Sequence, residues 1–407
     1  MQIHVIRRDK QSGAFIVTVC LMLFFLLAFI GIALDFGRLF IVKAELQTAT
    51  DACALAAAQE LDRQPNALLR ATNAGLAAGN ANGVVMQSAL WEGKGQLNAA
   101  HLSFRDEAHN VTTADAQARY ARCAYTQPAI ATPLLGMLAM LGNSGNTVAT
   151  ADVFARAEAT LAPSQSTCPL PLAIRPRAGS GKPDYGYTRG EWITMLMAPS
   201  SGKPADLPPG EIGWVTLDGS NDANNLGKQL KGYCGTRVGD DLGTPGVNAS
   251  VTDVWNARFG IYKNGDGPAH SQPDFTGYVY TAKNWTQQKD AFDDFMAQRS
   301  TFTNCGALVA DCEKASGLKL NAKDVASAGI NGDLRKYGGN RRIAPVPIIA
   351  NGKVSDYACV LMLQPLSTPF ANVQLEYLGN ASEADSPCVA SGLPGGSAGP
   401  LVPVLVL

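Results

Sequence analysis

Gly395-Gly396-Ser397-Ala398-Gly399 matches G-x-S-x-G, the turn that lifts a serine nucleophile from a strand-to-helix corner. The corner needs a strand before it and a helix after it. Here Gly392-Leu393-Pro394 precedes and Pro400-Leu401-Val402-Pro403 follows, so the stretch reads as a Gly/Ser linker. A serine nucleophile also needs a histidine base. Beyond the N-terminal segment the chain offers His101, His109 and His270, and none has a triad context; His101 and His109 flank an FRDEA run and read as solvated loop residues. SGKP occurs at Ser180–Pro183 and Ser201–Pro204, but a phosphate loop needs Ser or Thr after the lysine and a helix starting there. Both read as turns. Asp218-Gly219-Ser220-Asn221-Asp222 and Asn264-Gly265-Asp266-Gly267 offer oxygens to a calcium ion, yet lack the spacing and distal Glu of an EF-hand loop. DGSND also fails the D-x-S-x-S metal motif at its last position. Turn formation is the simpler reading. No catalytic residue, cofactor or metal is expected, and enzyme activity is not.

The cysteines carry more. Of nine, Cys20 lies in an apolar run, and Cys53, Cys123, Cys168, Cys234, Cys305, Cys312, Cys359 and Cys388 follow it. An even number in an exported segment reads as disulfides, and the absence of C-x-x-C argues against zinc or thioredoxin chemistry. Cys305 and Cys312 close a short loop and are the easiest pair. Cys53 and Cys123 would tie a helix to a strand, leaving Cys359–Cys388 and Cys168–Cys234 by elimination. Spacing alone leaves the connectivity open.

These residues need elements to place them. Ala14–Ala33 (AFIVTVCLMLFFLLAFIGIA) is uncharged throughout and runs into a helical pattern that continues to Leu61. About twenty apolar residues at roughly 1.5 Å each cross a hydrocarbon core of about 30 Å. Arg7, Arg8 and Lys10 stand before the span against Asp9, while Asp35, Arg38, Lys43 and Glu45 behind it roughly cancel. The positive-inside rule then puts the N-terminus in the cytoplasm and everything after Asp35 outside. The run exceeds a normal signal-peptide core, and no A-x-A site precedes a break, so an uncleaved anchor is expected. Processing after Gly13 would place Thr18, not Glu, at the fifth mature position.

Past the span, Leu39, Val42, Leu46, Ala49, Cys53 and Ala56 recur at 3-4-3-4-3 spacing, one apolar seam flanked by Ala52, Ala54, Ala57 and Ala58. Small residues let a backbone approach closely: the chain's own exported domain first, a second copy or a filament as the sharper alternative. Pro65-Asn66 either ends the long helix or starts a short second one to about Ala81, and Val84–Gly95, LSFRDE and ADAQARYARCAYT read as strands and turns. Ala149, Ala151, Val153, Ala155, Ala157, Ala159 and Leu161 alternate with polar residues and mark a half-buried strand. Pro128–Gly142 is apolar but too short to cross a bilayer, so a short core helix is expected, with a partner-docking or membrane-surface helix as the alternative. A Pro/Ser-rich junction, Ala162–Pro171, leads to strand candidates at Glu191–Met197, Ile212–Leu217, Arg258–Tyr262, Gly277–Thr281, Ile343–Ile349, Tyr357–Leu363, Val373–Tyr377 and Leu401–Leu407. Helices are expected at Leu226–Tyr233 and Thr286–Gln298. The reading is α+β: cytoplasmic tail 1–13, transmembrane helix 14–34, stalk helix with a pilin-like antiparallel sheet 35–165, and a second strand-rich domain 166–407. With 33 basic against 34 acidic residues the chain has no nucleic-acid footprint, and 16% charge suits a turn-rich exported protein.

The first sixty residues resemble the N-terminal region of the Flp pilus-assembly TadE/TadG-like family. The likeness rests on Gly13 after a basic start, the uncharged span, Asp35, Gly37 and Arg38 at its end, and then Leu46, Gln47, Asp51, Ala52, Ala54, Leu55 and Ala56–Ala58. Further on, ARYARC, GWVTLDG, ARFGIY, PDFTGYVYT and RRIAPVPII look like strings of longer TadG-like proteins. The resemblance implies a single-pass inner-membrane protein of the tight-adherence pilus system of a Gram-negative bacterium. Its partners would be other pilus-assembly proteins or pilins, with self-association through the N-terminal helix. Thr18 separates the chain from processed pseudopilins. The alternative from another class is a surface adhesin or carbohydrate-binding protein using the C-terminal domain; Trp192, Trp214, Trp255 and Trp285 exposed on one face would favour it, though burial in the core is the first expectation for them.

Overall fold

The computed structural model describes residues 12–141, 150–196, 207–245, 249–263, 266–305, 309–320, 324–325, 332–367, 369, 371–390 and 392–406. The basic residues before the span, the second SGKP and Asn264-Gly265 lie outside them. The chain divides into two units, Met1–Thr160 with Leu405–Leu407, and Leu161–Val404.

In the first unit, α1 (Ser12–Gln59) runs for 48 residues without a break, about 72 Å at 1.5 Å per residue. Its first half packs little: Phe15 and Phe29 are more than 70% exposed. From Val42 one face turns inward, and α2 (Ala67–Asn80) folds back along it. Strands β1 (Leu102–Arg105), β2 (Val111–Thr112), β3 (Tyr120–Ala131) and β4 (Thr150–Pro163) form an antiparallel sheet in the order β4-β3-β1-β2. In β4, Val153, Ala155, Ala157 and Ala159 point into the core shared with α1. The short α3 (Pro133–Leu141) joins β3 to β4 and lies against α1. At the other end of the unit, the Val406 amide donates to Glu158 O at 2.8 Å.

Val84–Gly95 is a loop and not a strand. Val85, Met86 and Gln87 have positive φ, and the Glu45 carboxylate of α1 accepts the Met86 and Gln87 amides at 2.9 and 3.0 Å. A helix side chain thus takes the donors that a strand would have offered to a neighbour. The loop wraps the fully buried Trp91, whose Nε1 donates to Asn82 O at 2.9 Å.

The second unit is built on a closed barrel of β5 (Leu172–Ile174), β6 (Trp192–Leu196), β7 (Ile212–Trp214), β10 (Ile343–Ala350), β11 (Lys353–Met362) and β12 (Val373–Asn380), in the order β10-β11-β12-β6-β7-β5. A two-stranded ladder, β8 (Ile261–Tyr262) with β9 (Asp324–Val325), lies apart from it. The barrel strands are covered on both sides. Along β11, Ala358, Val360 and Met362 join one core while Tyr357, Cys359 and Leu361 join another. That is why these strands read as continuous apolar runs. Around them stand α4 (Ala223–Gly232), α5 (Ala249–Ala257), α6 (Phe292–Ser300), α7 (Val309–Ser316) and α8 (Asp333–Tyr337). Of these, α4 and α6 are expected from the sequence and α5, α7 and α8 are not. The helix expected from Thr286 begins only at Phe292, and Gly277–Thr281 is no strand; both departures have side-chain causes described below. The final strand, β13 (Leu401–Leu405), forms as expected.

Candidate functional site

The seam residues fall where their spacing puts them. Val42, Leu46, Ala49 and Cys53 have no exposed surface, and Leu39 and Ala56 are half-buried at the margins. Ala49 and Cys53 lie under α2, and the seam as a whole shares one core with the sheet and Trp91. The buried residues of α2 are Ala67, Ala71, Gly75 and Gly79, one small residue every fourth position. A side chain on Gly75 would stand 3.0 Å from Cys53 O and 3.1 Å from Ala57 Cβ; one on Gly79 would stand 3.0 Å from Cys53 Cβ and 3.1 Å from Ala49 O. The alanines of α1 and the glycines of α2 therefore permit a close helical hairpin. That stripe was legible in the sequence as small residues spaced by four, and the reading above passed over it. The Asp115 carboxylate supplies the start of α2, accepting the Asn66 and Leu68 amides at 3.0 and 2.9 Å. On the flank of α1, Gln47 Nε2 donates to Arg156 O of β4 at 2.8 Å.

The structure joins Cys53 to Cys123, so the seam is bonded to β3 beneath it. It also joins Cys168 to Cys234, Cys305 to Cys312 and Cys359 to Cys388, and Cys20 remains an exposed thiol. The last bond links β11 to the loop after β12.

The polar candidates do not assemble. Ser397 lines a cleft of about 340 Å³ with Ser164, Thr167, Thr236 and Tyr357, and no helix follows it. His270 lines a separate cleft with Lys231, Arg258 and Arg341. His101 and His109 belong to the first unit. The His101 ring packs edge-on against Tyr125, its Nδ1 accepts the Asn98 amide at 3.0 Å, and burial pulls its pKa down. His109 is less free than its surroundings suggest: it stacks on Tyr120 and its Nδ1 lies 3.2 Å from Glu158 Oε1. Glu158, on the nominally outward phase of β4, is buried there beneath Arg105 and His109. In DGSND, Asp218 closes the turn on Ser220 and Asp222 caps α4 through the Asn224 amide at 2.9 Å. In the first SGKP, Lys182 Nζ pairs with the buried Asp356 at 3.1 Å.

Two buried ionisable groups organise the second unit. Glu376 on β12 is fully buried and accepts Trp192 Nε1 at 3.0 Å, the Ala291 amide at 2.7 Å and the Phe292 amide at 3.0 Å. It therefore decides where α6 begins. Burial raises its pKa to about 7 against the pull of those three donors, with Asp290 adding to the rise. An acid raised from 4.5 holds its proton in the fold while the unfolded chain releases it. Its stabilising contribution is thus complete below about pH 4.5 and lost as pH climbs through about 7. The melting temperature should therefore fall by several degrees between pH 5 and pH 8. In Glu376→Gln that fall should shrink, which a pair of thermal melts checks; an unchanged difference would rule out this carboxyl as its source.

The other group is Arg342, fully buried on the first turn before β10. Its guanidinium donates to Met362 O from Nε and Nη2 at 2.9 and 2.7 Å, and from Nη1 to Thr276 O and Tyr278 O at 3.2 and 2.7 Å. Within Gly277–Thr281, which is no strand, the Tyr278 carbonyl thus faces Arg342 and the Val279 carbonyl accepts Asn284 Nδ2 at 2.6 Å, so side chains take the acceptors a ladder would use. Asp274 accepts the Arg341 and Arg342 amides and pairs with Arg299 at 3.2 Å, and its own amide donates to Arg258 O at 2.8 Å. Arg258, also buried, donates to Arg341 O and Leu230 O, both at 2.6 Å. The strings ARFGIY, PDFTGYVYT and RRIAPVPII, far apart in sequence, thus meet at one network through Arg258, Asp274 and Arg342.

Residues 13–60 match the model of the putative Flp pilus-assembly TadE/G-like family. The matched segment is α1 and the residue after it. Neither a curated protein nor a solved structure matches the chain.

Proposed function

We propose that the protein is a membrane-anchored, pilin-like structural or assembly component of a tight-adherence (Flp) pilus system, with its N-terminus in the cytoplasm and both folded units in the periplasm. The observation that carries the reading is the family match on residues 13–60, on a helix whose first half is bare apolar surface and whose second half is built into a folded unit. The lysine and arginine excess before the span supports the orientation. The four disulfides suit an oxidising compartment. Since the chain's own α2 and sheet occupy the seam, partners or a second copy would meet the other face of α1, where Phe36, Phe40 and Ile41 are left exposed. No catalytic role is assigned to any residue. The adhesin alternative loses its motivation: Trp214 and Trp255 are buried against each other, and Trp192 and Trp285 are half-buried with their ring N–H groups bonded.

Protease added to spheroplasts should digest the chain beyond Asp35 and spare its first residues; protection of the large units would reverse the orientation. Deleting the gene should remove surface pili, and alanine at His101, His109, His270 or Ser397 should leave them intact. Normal pili on cells that no longer bind a surface would instead favour the adhesin.

A further inference from the structure

We propose that α3 is itself a membrane helix, inserted beside α1 into the leaflet nearer the folded units, with lipid acyl chains covering its outer face. The inference rests on reading α1 as membrane-spanning. PLLGMLAML has no charged or hydrogen-bonding side chain. In water such a helix would turn its apolar side onto the sheet core. Here Met137 is 64% exposed, and Leu134 and Met137 instead face the span, lining an apolar groove of about 440 Å³ with Leu27, Gly31 and Leu34. Gly31 makes the approach possible: a Cβ there would stand 3.2 Å from Leu134 Cβ.

Depth follows from Asp35, the first charge after the uncharged run. Its buried carboxylate accepts the Leu135 amide at 2.7 Å, so α3 starts level with the end of the span. The groove then extends from Leu34 back to Phe24, about three turns into the hydrocarbon stretch of α1. Nine residues reach about 13 Å, close to half of a hydrocarbon core of about 30 Å. At its start Pro133 has no N–H, the Asp35 carboxylate takes that of Leu135, and the Gly136 amide donates to Thr132 O.

The test is depth-dependent quenching of an environment-sensitive fluorophore on the full chain in phosphatidylcholine nanodiscs, with and without lipids brominated on the acyl chains. One sample carries the label on native Cys20. In a Cys20→Ala background, others carry it at Met137→Cys or at Leu69→Cys, an exposed site on α2. Position 137 should be quenched nearly as strongly as Cys20 and emit at a comparably blue-shifted wavelength, with position 69 unaffected. Quenching at Cys20 but aqueous emission at 137 would overturn the insertion of α3 and leave the span intact. No quenching at Cys20 would overturn the spanning reading and this inference with it. Crosslinking between copies through position 137 without lipid quenching would also overturn it, giving the groove to a second protomer.

Discussion

Leu46→Asp should unfold the first unit and abolish piliation. Leu46 has no exposed surface and packs in one cluster with Val42, Ala49, Trp91 and the inward face of β4. The cluster around it is apolar, and an unpaired buried charge costs several kcal/mol. That is comparable to the whole stability of a typical domain, about 5–15 kcal/mol. The Cys53–Cys123 bond, worth about 2–4 kcal/mol in general, would limit the separation of helix and sheet without restoring the core. Thr48→Asp, two residues on and exposed, is the control and should fold normally. Fluorescence of Trp91 during urea titration, together with pilus counts on complemented cells, reads both effects. A Leu46→Asp protein that melts like the parent would show that the helical seam does not support the unit. A Phe40→Asp protein that folds but makes no pili would locate the partner surface on the outer face of α1.

Arg342→Met should be the most damaging substitution in the second unit. The side chain of similar length keeps the apolar stem but strands the carbonyls of Met362, Thr276 and Tyr278 in the interior. It also removes a cation 4.1 Å above the Phe259 ring and 4.8 Å from that of Phe295. Breaking a buried, fully bonded charge typically costs about 3–5 kcal/mol. Arg342→Lys should rescue little, because one ammonium cannot reproduce the planar fork that serves two carbonyls on one side and a third on the other. Burial lowers the Arg342 pKa to about 10, so the group stays charged at neutral pH and the loss should not vary with pH between 6 and 8. Calorimetric melts of the three proteins decide it. A near-parental melting temperature for Arg342→Met would mean that the 276–278 segment finds other donors. The network would then not be what holds the ARFGIY, PDFTGYVYT and RRIAPVPII segments together.

What the sequence by itself determined about this protein was whatever repeats along one element. The uncharged run and its continuation are α1, because length and hydropathy along a helix are local quantities. The alternation around Val153–Ala159 is β4, because period two assigns a face without knowing what lies on it. Four of the six seam positions, Val42, Leu46, Ala49 and Cys53, are fully buried, and the likeness of the first sixty residues to a pilus-assembly family agrees with the family match on 13–60. Tertiary structure decided what depends on which segments meet. Glu45 holds the amides of the Val84–Gly95 loop, Glu376 caps α6 at Phe292, and Arg342 takes the Tyr278 carbonyl within Gly277–Thr281. In each case a side chain distant in sequence satisfies backbone groups that local propensity would have assigned to a strand or a helix turn. The barrel closes through the parallel pairs β5 with β10 and β6 with β7, contacts between remote segments that leave no period in the chain. The direction of α3 was equally hidden: nine apolar residues read the same on a core as in a bilayer. Its bond to Asp35 and its groove along the apolar half of α1 are contacts that no local pattern records.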